Sequence, residues 1–136
     1  MPQDSLWPVQ AAIYGVLAGA TALTAQLADG ADSVFDHVPQ GSAFPYIVLG
    51  ESAAEPLETQ AGGGCDITID IHAYSRALGM KEAKAVMAAI SGALHGQDFA
   101  VTGQRLVFCR LQSQQLRQDG ETRHGVQRYR IITEPV

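Results

Sequence analysis

Not one lysine or arginine occurs in the first 75 residues of this 136-residue chain. That stretch carries nine acids, whereas residues 76–136 carry all nine bases and five acids. The net charge of −5 and the pI near 5.2 argue against a nucleic-acid binder, because that affinity comes from cations that neutralise phosphates. Six arginines at 105, 110, 117, 123, 128 and 130 keep a phosphate-contacting sheet conceivable, but exposed aromatics to stack bases are scarce. Cysteine is limited to Cys65 and Cys109, far apart and without metal-ligand spacing, so both read as buried free thiols. No apolar run approaches the ~20 residues that a membrane span needs. Met1-Pro2-Gln3-Asp4 lacks the basic start of a secretion signal, which suggests a soluble cytoplasmic protein. Ser75, Ser91 and Ser113 lack a Gly-x-Ser-x-Gly elbow, and Gly62-Gly63-Gly64 lacks the Lys-Ser/Thr of a phosphate loop. No internal repeat is visible.

What is present is enough for one globular domain spanning 1–136, with 46% hydrophobic residues. Leu6, Val9, Ile13, Val16 and Leu17 recur at helical spacing behind a Ser5 cap and end at Gly19. A second short helix fits Thr21 to Ala28. Tyr46 to Glu51 reads as a central strand buried on both faces. Ser52 to Gly64, with Pro56 and three consecutive glycines, reads as a mobile loop that orders against a partner. Asp66 to Tyr74 alternates, with Ile67, Ile69, Ile71 and Ala73 on one side and a polar face opposite. Met80 to His95 makes a helix whose apolar stripe is Ala83, Val86, Met87, Ile90 and Leu94. Strands are expected at Asp98–Val101 and Leu106–Leu116. After a turn signal at Asp119-Gly120, Gly125–Thr133 returns antiparallel. The order predicts an α+β fold, a mostly antiparallel sheet with two main helices packed on one face.

The richest segment is Asp36-His37-Val38-Pro39-Gln40-Gly41, followed by Phe44-Pro45-Tyr46-Ile47-Val48-Leu49-Gly50-Glu51. It has a turn, then an apolar run, and no nucleophile with a base beside it. With Ile69-Asp70-Ile71-His72-Ala73-Tyr74-Ser75-Arg76 and Arg123-His124-Gly125-Val126-Gln127-Arg128-Tyr129-Arg130, it resembles the tail-terminator, or tail-completion, family of long-tailed phages and phage-derived gene transfer agents. The resemblance runs from about Val9 to Pro135. It implies a structural, non-enzymatic protein without cofactor. Six copies would form a ring that caps the head-proximal end of the tail tube, stops tube polymerisation and offers the head a docking surface. It further implies a tail tube protein and a head-tail connector as partners. DNA would pass through a lumen of repelling charge without specific binding. The protein would join the particle after assembly in the host cytoplasm.

The charge split suggests an acidic surface of one copy facing a basic surface of the next. Candidate contact residues are Asp36, His37, Pro39 and Gln40 in the turn, Glu51, Glu55 and Glu58 among the acids, and Arg117, Arg123, Arg128 and Arg130 among the bases. Two other readings stay open at this point. One is a head-side connector or completion protein of the same particle. The other is a small metal-dependent enzyme built on Asp36, His37, Asp70 and His72.

Overall fold

The computed structural model describes residues 5–57 and 63–136. Helix α1, Leu6–Ala18, begins after Ser5 and stops at Gly19. Ser5 occupies the cap position, yet its hydroxyl does not cap the helix: it lies 3.0 Å from Cys65 Sγ and 3.2 Å from Gln104 Oε1. This buried polar junction pins the start of α1 to the sheet. A four-residue helix, α2 (Thr21–Thr24), and a 3-10 turn at Gly30–Ser33 lead into β1, Val34–Phe35. The expected helix to Ala28 thus ends after one turn.

β2 (Tyr46–Leu57), β3 (Gly64–Ser75), helix α3 (Lys81–Leu94), β4 (Gln104–Asp119) and β5 (Thr122–Pro135) complete the chain. The five strands form one sheet in the order β1-β2-β3-β5-β4, parallel between β1 and β2 and antiparallel elsewhere. This is the predicted α+β class. α1 packs over β1 and β2, and α3 over β3, β4 and β5. Between helices and sheet lie Ile13, Ile47, Ile67, Ile90 and Ile131, each at most 1% exposed. Burying each such side chain stabilises the fold by about 1.5–3 kcal/mol. The buried stripe of α3 is Ala83, Val86, Met87, Ile90 and Leu94, as its spacing predicts.

Three expectations need correction. β2 is not buried on both faces. Ile47 and Leu49 enter the core, but Tyr46 and Val48 point to a face that no helix covers. An apolar run therefore looked two-sided because its outward residues happen to be Tyr and Val. Ser52–Leu57 do not form a loop. They extend β2 past a bulge and pair with β3, from Ser52 opposite Ile69 to Leu57 opposite Gly64. Pro56 is tolerated there because β1 pairs only with Ile47 and Val48, leaving this part of β2 at an edge where a missing N–H costs no ladder bond. The rest of the expected loop, 58–62, lies outside the described residues. Asp98–Val101 forms only a single bridge, Val101 to Gln104.

The β4–β5 turn has two residues, Gly120 and Glu121, between the paired Asp119 and Thr122. Gly120 has φ +60°, and no described non-glycine residue has positive φ. Positive φ at the first turn position alone is the type II′ hairpin geometry.

Candidate assembly surfaces

The sheet has one covered face and one open face, and the alternation of each strand decides what the open face displays. Across its upper end the register aligns Arg117, His124, Tyr74 and Tyr46 in a row, from β4 through β5 and β3 to β2. Their rings stack: Tyr46 on Tyr74 at 5.2 Å between centroids, and Tyr74 on His124 at 4.5 Å. Phe44 and Phe35 extend the stack beyond Tyr46, and the Arg76 guanidinium sits 4.3 Å over Phe44. His72 joins from the next row, with Nδ1 2.8 Å from His124 Nε2. The Glu51 carboxylate lies 3.6 Å from His72 Nε2. The bulge after Leu49 is where β2 places Gly50 and Glu51 beside His72, and a Cβ at Gly50 would stand 2.6 Å from His72 Nε2. Burial, then the neighbouring His72 and Arg117, hold the His124 imidazole below its usual pKa. Burial, then Tyr46 and Glu51, raise that of Tyr74.

Below the aromatic row the open face is charged. Arg128 donates both Nε and Nη2 to Asp70, at 2.8 and 3.1 Å, from the directly opposite register position. Arg130 reaches diagonally to Asp66, at 3.0 and 2.8 Å. These forks raise the pKa of both guanidiniums, through the hydrogen bonds first. Arg110 lies 4.1 Å over Phe108, and Arg105 pairs with Glu134.

The expected contact residues therefore divide. Asp36, His37, Pro39 and Gln40 are exposed in the turn, which Ser42 closes by donating its N–H and hydroxyl to the Pro39 carbonyl. Glu55 is exposed on the open face near Asp66 and Arg130. Glu58 lies outside the described residues. Arg117 is exposed, and Arg123 donates Nη1 to the Glu121 carbonyl. Arg128 and Arg130 already hold acids of the first 75 residues of their own chain, so part of the charge split is neutralised across β3 and β5. A metal reading loses its ligands: Asp70 is occupied by Arg128 and His72 by His124. Among the described residues no group of three or more His, Cys, Asp or Glu could hold a metal ion.

Two features escaped the sequence. The aromatic row needed the register, although alternation had placed His72 and Tyr74 on the outer face. The other is on α1, where Trp7 is 62% and Tyr14 44% exposed. Its signal was legible: Leu6–Ala18 contains no charged residue to mark a solvent side. Burial leaves Cys65 and Cys109 as free thiols, and lifts the Cys109 pKa to about 12.

Residues 11–134 match the family described as Tail completion protein gp17. The chain belongs to that family. It is 28% identical over 92 residues to the tail completion protein gp17 of Bacillus phage SPP1, a match spanning 65% of this chain and 66% of that protein. Its fold superposes on a chain from the virion of a native gene transfer agent particle with a TM-score of 0.86 and 28% identity, covering 96% of this chain and 98% of the other. This tail-completion protein thus shares its architecture, nearly end to end, with a component of an assembled particle. No described helix is long and apolar enough to cross a membrane.

Proposed function

We propose that this tail-completion protein forms a ring, with six copies as in the resemblance above, that caps the head-proximal end of a tail tube. The cap stops tube polymerisation and presents a docking surface to the head. The observation that carries this reading is the near-complete structural match to a virion chain, joined to membership of the tail-completion family. Physical support comes from the surfaces. The uncovered sheet face displays Arg and Tyr, residue types enriched where proteins bind proteins. In this reading the exposed turn residues Asp36, His37, Pro39 and Gln40, the exposed Glu51, Glu55 and Arg117 and the half-buried Arg123 meet neighbouring subunits, and Glu58, Arg128 and Arg130 complete the proposed contact set. Individually weak contacts repeated around a ring give an avid cap. A lumen lined by a protein of net charge −5 lets DNA slide past without holding it.

The partners of this reading are a second copy of the chain, the tail tube protein and a head-side connector. The role is structural rather than catalytic, and the protein ends in the particle after assembly in the host cytoplasm. The test is mass by multi-angle light scattering, alone and with purified tube protein, together with tube length by electron microscopy. A closed ring that arrests tube growth is the expected result. A monomer that leaves tube length unchanged overturns the proposal.

A further inference from the structure

We infer that the outward stripe of α1 and the groove between α3 and β4 are the two halves of one contact between neighbouring copies of this chain. The inference deepens the ring reading and rests on it.

α1 buries Val9, Ile13 and Leu17 on its inner side. Its outer side is not the polar surface that normally balances such a stripe. Trp7, Ala11 and Tyr14 recur there at four- and three-residue spacing, all exposed, and no charge occurs anywhere in the helix. A helix apolar on both sides is stable in water when both sides are covered. Every charged residue described between 5 and 57 is an acid, and one of them, Asp36, lines the adjoining depression.

The complementary surface lies on the other flank of the sheet, whose two edges are β1 and β4. There α3 and β4 leave a groove of about 470 Å³ in which Met87, Ala88 and Leu116 form an apolar strip and Lys84, Ser91, Gln114 and Gln115 supply polar walls. Lys81 is exposed about one turn before Lys84 on α3. An indole ring inserted between Met87 and Leu116 exchanges water for thioether and aliphatic contact, and Lys84 is available for the ring face. The occupant is a second copy because one chain carries both halves on opposite flanks, an apolar stripe beside Asp36 and a groove with an apolar strip beside Lys84. A contact of that form is head-to-tail. It repeats in one direction and closes into a ring when the rotation allows.

The test uses full-length protein in which Ala11→Cys and Ala88→Cys are made separately. The native thiols are buried and do not compete. Oxidising the mixture is expected to give a covalent product joining one copy of each variant, in excess over products from either alone. Trp7→Ala and, separately, Lys84→Glu are expected to raise the concentration of half-assembly at least tenfold, with the thermal midpoint unchanged. A ring formed by light scattering without the mixed cross-link, and insensitive to Trp7→Ala, overturns the inference while the ring reading stands. The mixed cross-link without any closed oligomer, alone or on tubes, upholds the contact and overturns the ring. Cross-linking of Ala11→Cys to tube protein instead of to a second copy assigns the stripe elsewhere and overturns the inference. Absence of both oligomer and cross-link overturns both.

Discussion

His124 shows how one residue couples the open face to solution conditions. It stacks on Tyr74, pairs with His72, and is faced by Arg117 and Asp119 from β4, with Glu51 beyond His72 on β2. Its folded pKa is lowered from about 6.5. The unfolded chain therefore binds the proton more tightly. The associated stability is fully present above pH 6.5 and is lost as pH falls through the lowered folded value. The thermal midpoint is expected to drop between pH 7.5 and pH 5. His124→Phe, which keeps a ring on Tyr74 but cannot titrate, is expected to flatten that drop, and an unchanged slope in the variant refutes the assignment. Gly50 is the second residue-scale constraint. A methyl there meets the His72 ring and approaches the Asp70 carbonyl to 3.1 Å. Gly50→Ala is expected to cost about 1–3 kcal/mol by overpacking, read by denaturant unfolding, and to shift the His72 imidazole signals in NMR.

At the scale of elements, the β4–β5 hairpin depends on a single backbone choice. Gly120 at φ +60° starts the type II′ turn, and an L side chain there costs about 1 kcal/mol. Gly120→Ala is expected to lower stability by that amount without altering the fold. A neutral result would mean that the turn rearranges. The same hairpin also carries the cross-strand forks, which separates the arginines into two classes. Arg128→Glu sets a carboxylate against Asp70, whose side chain is only 12% exposed, and should lower the melting temperature of the isolated subunit. Arg117→Glu changes an exposed group at the end of the aromatic row and should leave the melting temperature alone. Equal effects of the two reversals on subunit melting contradict this division.

For the whole molecule, the consequence lies in assembly. If residual charge asymmetry joins copies, Arg117→Glu with Arg123→Glu weakens oligomers while the subunit stays folded, and a compensating acid-to-lysine change partly restores them. The same contact weakens with salt, because the Debye length shrinks from about 10 Å at 0.1 M to about 3 Å at 1 M. Light scattering across that range checks it. Oligomers indifferent to both salt and reversal would be held by apolar contact alone. The α1 stripe makes a mixed answer the expected one: salt moves the equilibrium, and Trp7→Ala moves it further.

The sequence by itself determined the α+β class, the core stripe of α3, the inner face of β3 and the long terminal hairpin. Each is written in local periodicity, and burial of one face enforces it. Ala83 to Leu94 can bury together only on a helix, and Ile67 to Ala73 only on a strand. The family was legible too, in the turn before β2 and in β3 and β5. What only the tertiary structure decided is pairing at a distance. Asp70 and Arg128 are 58 positions apart, yet the β3–β5 register sets them opposite, which removed both from the pool of unpaired charges. The register also made one row of Tyr46, Tyr74 and His124. β2 ran on through Pro56 because the chain left that segment on an edge, where proline is harmless. The exposed Trp7 and Tyr14 follow from the placement of α1 at the flank: a second apolar stripe is written in the sequence, but whether a neighbour within the fold covers it is decided by packing.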